Sequence, residues 1–382
     1  MVATAPRVGL AEVLRCHGPA YLAAHPLSVA KARVWRAILA CRTAALGGHV
    51  ETCDACGTTR HLYHSCRNRH CPRCQTRAKE AWLSARQREV LPVPYFHLVF
   101  TLPHDLNGLI GQCPRALYEM LFGAVSGTLT EFAANPRWLG GIAAFTLVLH
   151  TWKQDLARHV HLHALVPGGA LSPDGDWIAA KRGFLFPIEA LSSVFRGKFV
   201  AALKRARQGG KLQQAGITDQ AWRDSLSAVH RHAWVVYAKH SLGGPAQVLD
   251  YLGRYTHRVA ISNERILGMD ADTVRLRVRD SAHANRRRTL SVPAQTFIER
   301  FLLHVLPKGF KRIRHYGLLG PAGKAVKLAQ ARAALSVPAP APLVVESVEA
   351  FMHRIDRLDW MRCTHCGKGQ FVPTAPIAPA PL

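Results

Sequence analysis

The chain has 382 residues, 48% of them hydrophobic, so it is long enough for two or three domains and too apolar for an intrinsically disordered protein. It carries 50 Lys and Arg against 24 Asp and Glu, and this net charge of +26 is typical of proteins that bind nucleic acid; a ribosome-like structural protein and a membrane-surface binder are the alternatives. Because no segment approaches the roughly 18 uninterrupted apolar residues of a membrane span, and no signal-peptide pattern opens the chain, we expect a cytoplasmic protein with no membrane partner.

Helical apolar spacing alternates with short apolar runs along the first three quarters of the chain. This spacing predicts helices within residues 8–45, 76–91, 114–135, 192–207 and 244–255. Runs rich in β-branched and aromatic residues predict strands over residues 95–103, 141–152, 159–169 and 232–240. Residues 273–280 and 286–294 alternate Arg with apolar side chains, and we expect them to form a hairpin.

This order of elements predicts an α+β fold, in which a small antiparallel sheet is flanked by helices and preceded by a helical, zinc-knuckle domain. We place the domain boundaries near residues 90 and 325. The first domain, residues 1–90, is helical and zinc-binding, and the central domain, residues 91–325, contains the sheet. Residues 326–382 form a Pro/Ala-rich linker that ends in a short C-x2-C element.

The cysteines are concentrated in two places. Two C-x2-C pairs, 14 residues apart, have the spacing of a tetrahedral four-thiolate Zn²⁺ site, most often a structural one. The predicted zinc ligands are Cys53, Cys56, Cys71 and Cys74. Cys66 and His70 remain as alternative ligands, as core residues, or as half of a second zinc site that Cys363 and Cys366 would complete.

Three histidines occupy alternate positions of one predicted strand. His159, His161 and His163 share a face of that strand, and two neighbouring imidazoles make a good pair of donors for a divalent cation. Hydrogen-bonded core histidines are the alternative. The candidates for a third ligand are Gln154, Asp155, His97 and Gln247.

A pair of tyrosines lies further along the chain, in a predicted helix. Tyr251 and Tyr255 are four residues apart, so their hydroxyl groups share a helix face, and Arg254 and Arg258 make the surroundings cationic. Such a pair suits nucleophilic attack on an anionic ester; ordinary aromatic packing is the alternative.

A His-apolar-His strand followed by a Tyr-x3-Tyr helix resembles the HUH endonuclease superfamily. With the C-x2-C pairs added, the chain resembles the two-tyrosine rolling-circle transposases of bacterial insertion sequences, the family numbered ninety-one. The resemblance is carried by "SCRNRHCPRCQ", "YFHLVFTLP", "HVHLHALVPGG", "YLGRYTHRVAISNERI" and "LPKGFKRIRHYGLLG", which together span roughly residues 48–320.

The resemblance implies an enzyme of the bacterial nucleoid with an HUH-type nuclease core. Such an enzyme nicks and rejoins single-stranded DNA at insertion-sequence ends and in the target, through 5′-phosphotyrosine intermediates. His161 and His163 would bind a catalytic Mg²⁺ or Mn²⁺, with Gln154 as the third ligand. Tyr251 and Tyr255 would be the nucleophiles.

Clusters of Lys and Arg beside aromatic residues are typical of surfaces that bind single-stranded DNA. The predicted DNA contacts are Arg254, Arg258, Lys308, Lys311, Arg312 and Arg314. Two other functions stay open on the sequence alone. The chain could be a plasmid-type rolling-circle replication initiator or relaxase, or a zinc-dependent DNA-binding protein without catalytic activity.

Overall fold

The computed structural model describes residues 8–181, 183–214, 216–231, 233–242, 260–280, 286–341 and 361–381, with the single positions 247, 253, 347, 350, 352 and 353. Helices α1 to α10 in this part of the chain are Leu10–Ala24, Val29–Ala40, Thr76–Gln87, Asn107–Gln112, Pro114–Ala134, Ile188–Gln208, Lys211–Gln214, Asp219–Arg231, Ala294–Leu302 and Lys324–Ala334. None of the described helices has both the length and the apolar composition needed to cross a membrane.

The strands confirm the predicted α+β class. Strands β1 to β13 are Gly48–Cys53, Thr59–Tyr63, Tyr95–Thr101, Ile142–Trp152, Arg158–Pro167, Gly169–Leu171, Trp177–Ala179, Val236–Leu242, Ile266–Met269, Thr273–Asp280, Arg286–Pro293, Ile313–Gly317 and Phe371–Ile377. The predicted helix over residues 244–255 lies outside the described residues, except for Gln247 and Gly253, which are both helical.

A seven-stranded sheet forms the centre of the molecule. Its strand order is β7-β6-β4-β5-β3-β8, with β12 also paired to β4, and every pair is antiparallel. The sequence predicted four of these strands. The short strands β6, β7 and β12 were missed because runs of three to five residues carry too little periodicity to be recognised.

The two faces of this sheet have different roles, because side chains alternate along each strand. One face presents Phe100, Leu147 and Leu162, all fully buried, to the long helices α5 and α6. Helix α5 begins with Pro114 in its first turn, where a missing N–H costs nothing. The opposite face carries the histidines of β3, β4 and β5, and it is therefore the face that positions the candidate site.

A second sheet, of order β11-β10-β9, packs against the N-terminal helices. Leu14 of α1 and Trp35 of α2 share one buried cluster with Leu276 of β10 and Phe297 of α9. The predicted hairpin thus forms, and its apolar face is closed by helices that lie more than 200 residues away in sequence.

A third sheet, of order β13-β1-β2, joins the two ends of the chain. Strand β13 pairs antiparallel with β1 from Gly48↔Ile377 to Cys53↔Phe371, with a bulge between Val50 and Glu51. The C-terminal element that we assigned to residues 326–382 therefore completes a sheet of the N-terminal region. The boundaries near residues 90 and 325 stay a prediction.

Candidate active site and metal centres

Three histidines of the central sheet converge on one point. Strands β4 and β5 pair so that His150 lies directly opposite His161, and His163 follows two residues later on the same face of β5. Cross-strand partners in an antiparallel sheet have neighbouring side chains. The register of this pair therefore adds a third imidazole to the two that the sequence predicted.

The ring nitrogens are spaced like the ligands of one ion. Nε2 of His163 lies 3.1 Å from Nε2 of His161 and 3.0 Å from Nδ1 of His150, and the three ligand atoms all lie within 4.8 Å of one another. Two nitrogen ligands at right angles, each about 2.1 Å from a metal, are about 3.0 Å apart. The donor set therefore fits a divalent ion with neighbouring octahedral positions.

Neighbouring groups fix the orientation of these rings. Nδ1 of His161 donates to the backbone carbonyl of His159 at 2.9 Å, which leaves Nε2 as the metal-facing atom. Nε2 of His97 lies 2.8 Å from Nδ1 of His163, and Trp152 stacks on His150 with ring centroids 4.6 Å apart. Outer partners of this kind hold ligating histidines in one tautomer and one rotamer.

Burial keeps the imidazoles of His161 and His163 uncharged. Desolvation lowers the pKa of His161 to about 3, and it lowers the pKa of His163 well below its usual value. Because metals bind the neutral ring, protons do not compete for these nitrogens at neutral pH. The site can therefore take up a cation without first releasing protons.

The structure does not bring Gln154 to this point. Gln154 is exposed on the turn between β4 and β5, and its backbone carbonyl accepts a hydrogen bond from Arg265. Asp155 is used in the same turn, where its carboxylate accepts from the N–H of Ala157 at 3.0 Å. The third side chain that meets His161 and His163 is that of His150, whereas Gln154 lies two residues beyond the end of β4 at Trp152.

The other histidine candidates have structural partners. His159 is not part of the three-histidine group: its Nδ1 lies 2.9 Å from Nε2 of His104, and its ring lies beside that of His161 with centroids 4.9 Å apart. His97 belongs to the outer layer described above, and Gln247 is exposed. His150 was missed because it follows an apolar run, but its position in a predicted strand next to the histidine strand was a usable signal.

The predicted nucleophiles and their flanking cations, Tyr251, Tyr255, Arg254 and Arg258, lie outside the described residues. Gly253, between the two tyrosines in sequence, is buried and helical. A Cβ atom added there would lie 2.9 Å from both Leu83 and Lys79 of α3. Gly253 is therefore in close contact with α3.

The four cysteines that we predicted to share one zinc ion fall into two groups. The first group is Cys41, Cys66, Cys71 and Cys74, and the second is Cys53, Cys56, Cys363 and Cys366. Each predicted C-x2-C pair is thus present, but each has a different partner pair. The pairs are separated because β1 and β2 carry Cys53 and Cys56 away from the loop that holds Cys71 and Cys74.

The first group is held between α2 and the loop before α3. Cys41 ends α2, and the sulfur atoms of Cys66 and Cys74 lie 3.6 Å apart. Sulfur ligands of a tetrahedral zinc ion are about 3.8 Å apart, so the group fits zinc. His70 is not part of it: its Nε2 accepts from the N–H of Leu306 at 3.3 Å, and burial lowers its pKa to about 3.

Two of the predicted DNA contacts have structural roles. Arg312 is buried, and burial lowers its pKa to about 9. Both terminal nitrogens of Arg314 donate to the carboxylate of Glu119, at 2.6 and 2.8 Å, and its guanidinium lies over Phe122. Lys308 and Lys311 are exposed and remain candidates for DNA contact.

Two family profiles match the chain. One, described as "Transposase zinc-binding domain", covers residues 13–102, and the other, described as "Putative transposase", covers residues 144–326. The first range contains all the cysteines of the first group, and the second contains the three histidines and both tyrosines.

Relatives match the chain over most of its length. It is 47% identical over 382 residues to "Putative transposase y4qJ" of Sinorhizobium fredii, covering 97% of this chain and 96% of that protein. It is 28% identical over 357 residues to "Transposase for insertion sequence element IS801" of Pseudomonas savastanoi pv. phaseolicola, covering 89% and 82%. No solved structure matches it. The chain therefore belongs to the IS91 family, the two-tyrosine DNA transposases of bacterial insertion sequences that carry an N-terminal zinc-binding domain.

Proposed function

We propose that this transposase nicks and rejoins single-stranded DNA at insertion-sequence ends and in the target, with Tyr251 and Tyr255 as nucleophiles beside a divalent metal. The observation that carries the proposal is the buried convergence of His150, His161 and His163, whose nitrogens have the spacing of one ion's ligands. Histidines that serve only packing have no need to direct lone pairs at a common point.

In the proposed reaction, a tyrosine oxygen attacks the phosphorus of a DNA phosphodiester. A bond forms between that oxygen and phosphorus, the bond from phosphorus to the 3′ oxygen breaks, and the phenol proton passes to solvent. The products are a 5′-phosphotyrosine and a 3′ oxygen that takes up a proton to become a hydroxyl. Because the ester energy is kept in the phosphotyrosine, a free 3′-hydroxyl can reverse the step without ATP.

The charges of the site suit this chemistry. A metal at the three histidines would neutralise negative charge on the phosphoryl oxygens. Arg254 and Arg258 favour the phenolate over a phenol whose ordinary pKa is about 10. Exposed Lys308 and Lys311 can follow the DNA backbone, and the net charge of +26 favours a location on the nucleoid.

The position of Gly253 supports a meeting of the tyrosine segment with the histidine face. Leu83, which contacts Gly253, packs in the same cluster as Leu165 of β5. Leu165 lies on the same face of β5 as His163, two residues further along the strand. Two layers of side chains thus connect Gly253 to the metal-binding face.

The three imidazole nitrogens also indicate which metal the site would prefer. Mg²⁺ prefers oxygen ligands, whereas nitrogen donors suit first-row transition metals better. We therefore favour Mn²⁺ over Mg²⁺ as the ion that supports cleavage.

The test uses the full chain, Mn²⁺ and a labelled single-stranded oligonucleotide that carries an insertion-sequence end. The wild-type chain is expected to form a covalent DNA adduct on Tyr251 or Tyr255, located by mass mapping of the linked peptide. The double variant Tyr251→Phe/Tyr255→Phe is expected to form no adduct while it binds the oligonucleotide as before. His150→Ala is expected to lower adduct formation at least about 100-fold, because losing a ligand exceeds the effect of losing an outer partner.

The matched control is His159→Ala, which removes an imidazole of the same strand that contacts His104 and is not one of the three converging histidines. It is expected to retain adduct formation within about threefold. An adduct in the double tyrosine variant would remove the nucleophile assignment. Equal losses in His150→Ala and His159→Ala would remove the metal assignment, and a wild-type chain that binds DNA but never forms an adduct would support a non-catalytic DNA-binding protein.

A further inference from the structure

The second group of cysteines is built from two matching turns. Cys53 to Gly57 and Cys363 to Gly367 both have the pattern C-x-x-C-G. In each turn the glycine has a left-handed backbone conformation, with φ of 71° for Gly57 and 66° for Gly367. Each glycine N–H donates to the carbonyl of the first cysteine, at 3.0 and 2.9 Å. Only glycine adopts this conformation without strain, so both turns are shaped to present two thiols.

The sulfur atoms of the two turns are spaced like the corners of a zinc tetrahedron. Sγ of Cys53 lies 3.8 Å from Sγ of Cys366, and Sγ of Cys56 lies 3.7 Å from Sγ of Cys363. A Zn–S distance of about 2.3 Å places tetrahedral ligands about 3.8 Å apart. A disulfide would bring two sulfurs to about 2.05 Å, and all four thiols are free.

A backbone N–H stabilises the thiolate of Cys366, and the backbone of Gly369 closes the group. The N–H of Gly369 donates to Sγ of Cys366 at 3.4 Å. A Cβ atom at Gly369 would lie 2.5 Å from Sγ of Cys53, so this backbone passes directly over the group. Cys53, Cys363 and Phe371 form a small buried cluster, in which the thiols of Cys53 and Cys363 are shielded from solvent.

We propose that Cys53, Cys56, Cys363 and Cys366 hold a second structural Zn²⁺, separate from the ion of the first group. Four soft thiolates in a closed tetrahedral set select zinc and leave no open position for catalysis. Cys363 and Cys366 lie beyond both matched family ranges, 13–102 and 144–326. The ion joins positions that are 307 residues apart, so it fastens the C-terminal strand to the N-terminal sheet.

The test is the zinc content of the full-length chain after dialysis against zinc-free buffer. The wild-type chain is expected to hold two zinc ions. Cys363→Ser/Cys366→Ser is expected to hold one, and so is Cys71→Ser/Cys74→Ser. The control Cys16→Ser removes an exposed thiol outside both groups and is expected to keep two.

Hydrogen exchange provides a measurement that does not depend on a variant. Chelation that removes the zinc of the second cysteine group from the wild-type chain is expected to speed amide exchange in β13, Phe371–Ile377, before it affects exchange in the hairpin of β10 and β11. One zinc per wild-type chain, or two in Cys363→Ser/Cys366→Ser, would overturn the proposal. Exchange in β13 that is unchanged by removal of the ion would overturn its fastening role.

The hairpin of β10 and β11 has one exposed, cationic face and one buried, apolar face. Its register pairs Arg275 with Ser291, Arg277 with Thr289 and Arg279 with Arg287, so these residues share one face. All six are exposed. The opposite face carries the buried residues Val274, Leu276 and Val278, which pack on the helices. One face is therefore anchored, and the other presents cations and hydroxyls to solvent.

The composition of this face favours duplex DNA over a single strand. Single-strand binding surfaces use aromatic rings on which bases stack, and neither described strand of the hairpin contains an aromatic residue. A two-stranded ribbon fits the major groove of B-DNA, which is about 12 Å wide. Arg and hydroxyl side chains are suited to phosphates and to the acceptor edges of bases.

The structure assigns the arginine face of β10 and β11 to double-stranded DNA, such as the duplex that flanks a nicking site. The test compares binding of a duplex and of a single-stranded oligonucleotide without divalent metal, so that it is independent of cleavage. Arg277→Ala/Arg279→Ala/Arg287→Ala is expected to weaken duplex binding at least about tenfold. It is also expected to lower the slope of log affinity against log salt by about 2 to 3, since each lost phosphate contact removes about 0.9.

The matched control, Lys204→Ala/Arg205→Ala/Arg223→Ala, removes three exposed cations of α6 and α8. It is expected to change duplex binding less than threefold. Equal effects of the two triple variants would show that only net charge matters and would overturn the assignment. A hairpin variant that loses single-strand binding but keeps duplex binding would overturn it as well.

Discussion

Buried neutral histidines make this chain sensitive to acid. His304 lies between the hydroxyl of Thr151, 3.0 Å away, and the carbonyl of Leu156, 2.9 Å away. Burial lowers its pKa to about 4, and burial also lowers the pKa of His315 to about 4. In the unfolded chain both would titrate near 6.5, so between pH 6.5 and pH 4 the unfolded state binds protons that the folded state does not.

The sign of the effect follows directly. The stability contributed by these neutral rings is fully present above pH 6.5 and is lost as pH falls through 4, at up to about 1.4 kcal/mol per pH unit for each ring. We expect His304→Gln to be less stable than wild type at pH 7.5 but to lose stability less steeply between pH 6.5 and 4. Urea unfolding followed by tryptophan fluorescence at several pH values measures this. Parallel curves for the two proteins would contradict the assignment of His304.

At the scale of residues, the sequence was informative where the pattern was local. The strand rule placed His159, His161 and His163 on one face without any partner strand, and the resemblance selected His161 and His163 among them. The same rule could not identify His150, because its position beside His161 depends on the register between β4 and β5. Arg312 was predicted to be an exposed cation, and nothing in the neighbouring sequence indicates that its side chain is buried.

At the scale of elements, α3 contacts both the central sheet and Gly253. Its Leu83 and Trp82 pack against the cluster that contains Tyr95 and Leu165 of the central sheet. Its Leu83 and Lys79 also lie against Gly253, where a side chain would not fit without movement. Helix α3 therefore contacts both Gly253 and the sheet that carries the histidines, and we propose that this contact positions Tyr251 and Tyr255 for the proposed reaction.

Adding one methyl group at this contact tests the positioning role. In Gly253→Ala the new Cβ would lie 2.9 Å from Leu83, so the segment must shift or Leu83 must move. We expect adduct formation to fall about tenfold or more, because small misplacements of a nucleophile cost rate steeply. DNA affinity and zinc content should stay unchanged.

The matching rescue is Leu83→Ala, which opens space for the added methyl group. The double variant Gly253→Ala/Leu83→Ala should recover part of the lost adduct formation, and the gain measures the coupling of the two positions. A Gly253→Ala chain with normal adduct formation would show that this contact does not position the tyrosines.

Helices and strands with a clear hydrophobic periodicity were predicted correctly, whereas the elements that they pair or pack with were not. The hairpin of β10 and β11 and helix α5 follow from the spacing of apolar residues alone. The cysteine pairs were also recognised as pairs. Proximity in sequence suggested that Cys53 and Cys56 join Cys71 and Cys74, but partner choice is set by strand pairing, and β1 pairs with β13 from the far end of the chain.

At the scale of the whole molecule, the N-terminal region contacts parts of the chain from both later regions. Helices α1 and α2 close the apolar face of the β9–β11 sheet, and β1 takes β13 as its neighbour. A division into consecutive segments follows from composition, which changes along the chain. Contacts between distant segments leave no mark in composition, so composition alone could not predict that α1, α2 and β1 pack against later parts of the chain.

The pairing of β1 with β13 also sets a condition on biosynthesis. A ribosome adds about 5 to 20 residues per second, so roughly 15 to 65 seconds pass between translation of Cys53 and that of Ile377. During this interval one edge of β1 has no neighbour, because its eventual partner has not been made. A nascent polypeptide therefore cannot complete the β13-β1-β2 sheet before residue 377 has been made, and a message truncated before β13 yields a protein in which this edge of β1 is exposed and open to aggregation.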